Sequence, residues 1–289
     1  MPSDPACYLC GGTQLTRRAP NASYTMVICG SCGYRRQDPI PPPGALDVLY
    51  HNDFYTERGL DKGIDEQPRF MRELIAERVR SVTRWRGGGG RLLDVGCGTG
   101  LFVEAAARQG WAAVGTETSA ASLAYARRFT SAPIFQGELG DYHADGPFDA
   151  VTFWDVIEHL PDPRSELERA AAMLVPGGVV AISLPNVAGL KARLLGDRWR
   201  YYLPSMGHIS HFSPSTLARL VGQARLELVQ LGTHGAFNLW KSFGQDPLSV
   251  RESHPLLDGV QRLADTAAGR SGFGETITAY ARRPAVEHG

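Results

Sequence analysis

Hydrophobic residues in the central part of the chain fall into short apolar runs that alternate with stretches of helical character. Five such runs lie at 92–95, 112–116, 133–136, 150–154 and 179–184. A run that is apolar throughout, and not alternating, suits a strand covered on both faces, as in a parallel sheet wound by helices. The pattern therefore predicts an α/β fold with a doubly wound, mostly parallel sheet.

A helical pattern precedes these runs. In the segment 70–85 apolar residues recur at helical spacing, and four consecutive glycines at 87–90 end the pattern. Together with the aromatic residues ahead of it, this helix forms a predicted helical collar at 46–86. The main domain is then expected at 87–289.

The chain beyond residue 184 is less regular. Two segments, at about 187–213 and 235–272, have little periodicity, and we interpret them as insertions that cover a substrate pocket. The remaining pattern predicts a helix that starts at Ser213-Pro214, a strand near 226–231 and a last strand at 275–281.

Composition and charge narrow the class of protein. The chain has 289 residues, of which 43% are hydrophobic, and its 30 basic and 30 acidic residues give a formal net charge of zero. The apolar fraction is sufficient for a sizeable core, and the zero charge gives no broad electrostatic reason to expect nucleic acid or an anionic membrane as partner. Because no secretory signal opens the chain, and because Pro and Gly interrupt its longest uncharged stretch at 170–190, we expect a cytoplasmic protein without a membrane span.

Four of the five cysteines form two closely spaced pairs near the start of the chain. Cys7 and Cys10 are separated by two residues, as are Cys29 and Cys32, and a glycine follows each pair. This spacing predicts a tetrahedral, structural Zn²⁺ site in a small module at 1–38, followed by a Pro-rich linker at 39–45. Two disulfides are disfavoured in a reducing cytoplasm, and a redox Cys-x-x-Cys motif would not need two copies.

A glycine-rich loop follows the first predicted strand. Gly96, Gly98 and Gly100 alternate with other residues, and Asp94 precedes them. A dinucleotide-binding fingerprint would need Gly or Ala where Leu101 stands, and the Gly-Lys-Ser/Thr of a Walker A loop is absent. The pattern is expected where backbone approaches a ligand that carries a carboxylate and an amine but no phosphate.

An acidic residue, Glu117, ends the second apolar run, where it is placed to accept both hydroxyls of a ribose. At these residues the chain resembles the class I S-adenosylmethionine (SAM)-dependent methyltransferases. The resemblance continues through 148–163 and 174–186 and covers roughly 90–231. It implies a Rossmann-like methyltransferase fold with seven strands, SAM as cofactor and an enzymatic activity.

The resemblance also implies a set of cofactor-binding residues. They are Asp94, Gly96, Gly98, Gly100, Glu117, Glu138, Leu139 and Asp155. The glycines would wrap the methionine end of the cofactor, Glu117 would bind the ribose, and Glu138 and Leu139 would flank the adenine. The alternative role of Asp94 and Asp155 is to cap helices, but their position at the carboxyl ends of strands favours the ligand site.

Three histidines are candidate catalytic residues, since a hydroxyl acceptor benefits from a general base. His159 follows the fourth strand, where its alternative role is to orient Asp155. His208 and His211 would share one face if their segment were helical. They belong to a Gly-His-Ile-Ser-His-Phe-Ser-Pro element at 207–214, which resembles one found in small-molecule methyltransferases of the domain 23 type. Metal binding by this pair with Glu158 is a further alternative.

We therefore predict a SAM-dependent transfer of a methyl group to an O, N or C atom of a small molecule, in natural-product or sugar biosynthesis. Four basic residues against one acidic residue at 187–213 favour an anionic acceptor. The alternatives are an RNA methyltransferase that uses the zinc module for RNA contact and a non-catalytic cofactor-binding scaffold. Neutral charge and the lack of an Asn-Pro-Pro-Tyr-like motif after the fourth strand disfavour RNA. The sequence does not indicate an oligomeric state.

Overall fold

The computed structural model describes residues 6–42, 62–235 and 272–285, and a mixed α/β architecture organises them. In chain order the strands are β1 (Leu15–Arg18), β2 (Thr25–Cys29), β3 (Arg35–Asp38), β4 (Arg91–Val95), β5 (Ala112–Glu117), β6 (Ile134–Gln136), β7 (Phe148–Trp154), β8 (Leu174–Pro185), β9 (Ser210–His211), β10 (Glu227–His234) and β11 (Thr276–Arg282). The helices are α1 (Arg69–Arg86), α2 (Leu101–Arg108), α3 (Ala120–Phe129), α4 (Pro163–Met173), α5 (Leu190–Leu195) and α6 (Pro214–Gln223).

The larger sheet has seven strands in the order β10-β11-β8-β7-β4-β5-β6. Strand β11 is antiparallel to both of its neighbours, and the pairs from β8 to β6 are parallel. The predicted mostly parallel sheet is confirmed, because each of the five apolar runs forms one of its strands. Strand β8 begins five residues earlier than predicted, at Leu174, and the amide of Gly177 in this extension donates a hydrogen bond to the carbonyl of Arg283.

The helix of the predicted collar is one of the helices that cover this sheet. Helix α1 ends at a left-handed Gly87, and it buries Ile75, Val79 and Val82 in a core shared with Leu92. The collar and linker residues at 43–61, and the insertion residues at 236–271, lie outside the described residues. None of the helices in the described ranges has both the length and the apolar character that crossing a bilayer requires.

The N-terminal module is packed onto the main domain by a second, smaller sheet. Strands β1, β2 and β3 form an antiparallel meander, and β9 from the 187–213 segment adds a fourth strand beside β3. Leu9 and Tyr34 of the module share a hydrophobic core with Phe212, Leu217 and Leu220 of the main domain. The two parts are therefore joined by both a sheet and a core.

Candidate functional site

The glycine-rich loop leaves the carboxyl end of β4 and leads into α2. Gly96, Gly98 and Gly100 have φ values of 64°, 56° and 76°, a left-handed conformation that strongly favours glycine. A Cβ atom on Gly96 would lie 2.8 Å from a methyl group of Val156. The loop thus passes closely over the end of β7, and any side chain at residue 96 would push the two apart.

Glu117 at the end of β5 is bonded directly to this loop. One carboxylate oxygen accepts a hydrogen bond from the amide of Gly98 at 2.8 Å, and the other accepts from the amide of Ser119 at 2.7 Å. Burial raises the pKa of Glu117, and these two amides oppose the rise. Each carboxylate oxygen has a second lone pair, so the group retains the capacity to accept two ribose hydroxyls.

Asp94 is buried between β4 and β7. The hydroxyl of Thr152, its neighbour in the parallel register, donates to its carboxylate at 2.5 Å. Burial is the main cause that raises the pKa of Asp94, to about 7. Asp94 caps none of the described helices, and its position supports the role of orienting the loop that follows it. Sequence reasoning missed Thr152, which carries no signal beyond its place in an apolar run.

Asp155 lies where β7 ends and has an unusual backbone conformation, with φ at 59°. A guanidinium nitrogen of Arg78 on α1 lies 2.9 Å from its carboxylate, and the same guanidinium stacks over the ring of Trp154 at 4.6 Å from the centroid. The amide of Asp155 donates to the carbonyl of Ser183. Arg78 thereby ties the first helix to the predicted site, although nothing in the helical pattern distinguished it from the other arginines of α1.

The predicted histidines come together, but in another arrangement than the helical spacing suggested. Gly207 is left-handed, residues 208–211 are not helical and His211 lies in β9, so the helical arrangement that would give His208 and His211 a shared face does not form. His208 packs against His159, with ring centroids 4.6 Å apart, and lies 6.0 Å from His211. The ring of Tyr201 stacks on His208 at 5.3 Å. The close pair is therefore His159 with His208.

Burial keeps these imidazoles neutral. It lowers the pKa of His159, lowers that of His208 well below its ordinary value, and lowers that of His211 to about 3. Nδ1 of His159 lies 3.1 Å from the carbonyl oxygen of Gly207. Since a carbonyl only accepts, Nδ1 carries the proton and the lone pair of the neutral ring is on Nε2.

Glu158 adds a buried carboxyl group to this pair. Neither of its carboxyl oxygens has a hydrogen-bond partner among the residues that the structure describes, and the same is true of Nδ1 of His208. Burial, with the nearby charge of Asp155, raises the pKa of Glu158 well above its ordinary value. Donor atoms of Glu158, His159 and His208 lie within 4.8 Å of one another. These three residues could together bind a metal ion. The set differs from the one suggested by the sequence, because His159 takes the place of His211.

Comparison with known proteins agrees with this geometry. The family model described as "Methyltransferase domain" matches residues 67–231, which is more than half of the chain. The chain belongs to this methyltransferase family. The matched range contains the glycine-rich loop, Glu117, Asp155 and all three candidate histidines. The methyltransferase class predicted from the sequence is therefore confirmed.

Curated relatives of the chain include proteins named "Ubiquinone biosynthesis O-methyltransferase". The protein of Aromatoleum aromaticum is 35% identical over 160 residues, which are 50% of this chain. The match spans 66% of that relative, just under two thirds of the relative's length. The protein of Thiobacillus denitrificans is 34% identical over 174 residues, 56% of this chain and 75% of the relative. A solved SAM-dependent methyltransferase of Archaeoglobus fulgidus is 21% identical with a TM-score of 0.53, covers 73% of this chain and 94% of that chain, and supports the fold alone.

Two further predicted cofactor-binding residues, Glu138 and Leu139, follow directly after β6. The side chain of Leu139 is buried in the core with Phe148 and Leu167, and Glu138 is exposed. It is the amide of Gly137 that reaches the end of β5, where it donates to the carbonyl of Glu117. Contacts of residues 138 and 139 with the adenine stay a prediction.

The four paired cysteines of the chain converge on one point. The sulfur atoms of Cys7 and Cys32 are 3.7 Å apart and those of Cys10 and Cys29 are 3.6 Å apart, and all four lie within 4.8 Å of one another. These separations are far too long for disulfides. A tetrahedral zinc with Zn–S bonds of about 2.3 Å places its ligand sulfurs about 3.8 Å apart, so the cluster fits that ion.

Proposed function

We propose that the chain is a SAM-dependent O-methyltransferase that acts on a hydroxyl group of a small molecule. The observation that carries this proposal is the pair of neutral imidazoles of His159, which is half-buried, and His208, which is buried, beside the carboxyl end of β7. A Cβ atom on Gly96 of the cofactor loop would lie 2.8 Å from Val156, so the turn that leads to Glu158 and His159 starts beside the predicted cofactor site. The curated relatives, whose printed name includes O-methyltransferase, support the choice of oxygen.

When bound, SAM would supply a methyl group on a positively charged sulfur, which would leave as a neutral thioether when an acceptor oxygen attacks the methyl carbon. The loop amides and the carboxylate of Glu117 would hold the cofactor. The imidazole of His159 or His208 takes the hydroxyl proton as the oxygen attacks, because burial lowers the pKa of both rings and keeps them neutral. The buried setting excludes water, and the packed rings orient the acceptor.

We also infer that the cysteine cluster holds a structural Zn²⁺. The sulfur separations support this inference, and so does the local backbone, in which the amide of Gly12 donates to the sulfur of Cys10 at 3.4 Å. Four thiolates leave the metal no open coordination position, so its role is to stabilise the module.

An anionic acceptor stays a prediction from the sequence. Of the basic residues that suggested one, Lys191 pairs with Glu275 at 3.3 Å, and Arg193 stacks over Phe273. Arg200, in contrast, stacks over the ring of Tyr201, which itself stacks on His208. A role in natural-product or sugar biosynthesis, like the cytoplasmic location, stays a prediction from the sequence.

The test is a methyl-transfer assay with purified protein, SAM and a panel of phenols, catechols and sugars, with product mass measured by mass spectrometry. We expect methylation of at least one hydroxyl acceptor, and a loss of about 100-fold or more in kcat for the His159→Asn or His208→Asn variant with SAM affinity within twofold of wild type. Methylation of RNA in place of small molecules, or SAM binding without any turnover, would refute the proposal in favour of the alternative functions.

A further inference from the structure

We infer that the cysteine module is a positioning part of the acceptor site, and that its residues Tyr34 and Arg35 hold the segment 201–211 that carries His208. This inference rests on the proposed function, since it assigns the module a role in placing a catalytic group. If the module had a purely structural role, disturbing it would weaken cofactor binding and catalysis alike. A positioning role predicts a loss of catalysis with cofactor binding retained.

The backbone provides the first link. Strand β3 of the module pairs with β9, with Arg35 opposite His211. The carbonyl of Ile209 accepts a hydrogen bond from the amide of Gln37 at 2.8 Å, and the amide of Ile209 donates to the carbonyl of Glu158 at 2.8 Å. Ile209 is thus held between the module on one side and the Glu158 turn on the other. Residue 208 directly precedes it, so the module fixes the path of the chain at the catalytic pair.

The side chain of Tyr34 provides a second link. Tyr34 is buried, and its hydroxyl is hydrogen-bonded to the hydroxyl of the buried Ser210 at 2.6 Å. Its ring packs on Phe212 at 5.4 Å between centroids. Both contacts fall on the stretch that immediately follows His208. A buried hydroxyl pair resists displacement, because losing one partner leaves the other unsatisfied.

Arg35 and Tyr24 provide a third link, through Tyr202. A guanidinium nitrogen of Arg35 donates to the hydroxyl of Tyr202 at 2.5 Å, and the hydroxyl of Tyr24 donates to the carbonyl of Tyr202 at 2.7 Å. The residue before it, Tyr201, stacks on His208 with ring planes only 10° apart. The module therefore supports the ring that covers one face of the catalytic imidazole.

The cofactor side of the site is separate from these links. Across the parts of the chain that the structure describes, hydrogen bonds from the module reach 161–164, 197–211 and Gln223, but none joins it to 96–100 or to Glu117. A disturbance of the module should therefore misplace His208 and leave the cofactor cradle intact. Misplacing a catalytic group by about 1 Å is enough to cost on the order of 100-fold in rate.

The first test uses Tyr34→Phe and Arg35→Met, with Arg17→Met as the matched control. Arg17 lies on the same small sheet, but it pairs with Asp38 of the module itself. For the two test variants we expect kcat/KM for the acceptor to fall about tenfold, with the Kd for SAM within twofold and the zinc content unchanged. The control should match wild type. Equal losses in acceptor turnover and SAM affinity, or full activity of both test variants, would overturn the inference.

A double-mutant cycle sharpens this test. Arg35→Met and Tyr202→Phe remove the two ends of one hydrogen bond, so their effects on kcat/KM should not multiply in the double variant. Fully multiplicative effects would show that Arg35 does not act through Tyr202, which contradicts the proposed route.

The second test does not depend on turnover. The full chain is treated with a zinc chelator, and deuterium uptake is compared for peptides spanning 199–212 and 92–101. A larger increase in uptake at 199–212 than at 92–101 would support the inference, whereas equal increases in both peptides, or none, would overturn it. If wild-type protein methylated no hydroxyl acceptor, the proposed function would fail, and this exchange experiment would still report whether the module holds the segment.

Discussion

Glu117 combines a structural role, in holding the glycine-rich loop, with a predicted role in binding the cofactor. Each of its two carboxylate oxygens accepts a hydrogen bond from a backbone amide, at 2.8 Å and 2.7 Å. The same oxygens are predicted to accept hydrogen bonds from the ribose hydroxyls. For Glu117→Gln we expect SAM affinity to fall about tenfold or more, because the amide nitrogen can accept neither a backbone donor nor a hydroxyl proton. Isothermal titration calorimetry measures the effect. The exposed Glu227 offers a control, as Glu227→Gln should bind SAM normally. An unchanged Kd in Glu117→Gln would mean that the ribose contact is misassigned.

His211 makes the stability of the protein depend on pH. Its pKa in the folded protein is about 3, against 6.5 for an unperturbed histidine, so only the unfolded chain gains its proton as the pH falls below about 6.5. Lowering the pH from 7.5 to 5.5 should therefore remove about 1.4 kcal/mol of the free energy of unfolding through this residue alone. In His211→Gln, urea denaturation at the two pH values should show a correspondingly smaller loss. Parallel pH dependence in the two proteins would show that His211 is not buried in its neutral form.

The sequence predicted which residue types form the site more successfully than how they are combined. The loop glycines and Glu117 follow from local spacing along βα units, and the structure assembles them next to one another. The histidine arrangement depends on backbone conformation over several residues. A helix after Gly207 would have paired His208 with His211, whereas the extended chain pairs it with His159. Arg78 could not be singled out, because its role arises from the packing of α1 against the end of β7.

At the scale of elements, helix α6 shows a sequence signal that the structure reproduces closely. The helix was predicted to start at Ser213-Pro214, and Ser213 forms a capping box with Thr216. We expect Ser213→Ala to lower the free energy of unfolding by about 1 kcal/mol, because the first turn loses its side-chain acceptor. Thermal denaturation would measure this change, and Ser131→Ala, at an exposed serine, is the control. Equal stability of the two variants would contradict the assigned cap.

Strands differ in how far sequence alone can predict them. The five apolar runs were recognisable because strands buried on both faces carry few polar residues. Strand β9 has only two residues, and it exists because β3 of the module lies beside it, with Arg35 paired to His211 from far along the chain. No local pattern encodes such a pairing. The same holds for the smaller sheet as a whole, so the sequence predicted the module correctly as a cysteine cluster but not its attachment.

For the whole molecule, the shared core predicts a single cooperative unfolding transition. Cys7, Leu9 and Tyr34 of the module are buried in one cluster with Phe212 and Leu217 of the main domain, so neither part can expose its apolar surface without affecting the other. Differential scanning calorimetry of the zinc-loaded protein should therefore show one peak. Zinc and SAM each bind the folded state, so removing zinc should lower the temperature of that peak. Adding SAM at 100 times its Kd should stabilise the fold by about 2.7 kcal/mol and raise the temperature of the same peak. Both ligands should shift the same transition although they bind at separate sites. Two peaks, with zinc moving one and SAM the other, would show that the module unfolds independently and that β9 and the common core do not couple it to the methyltransferase domain.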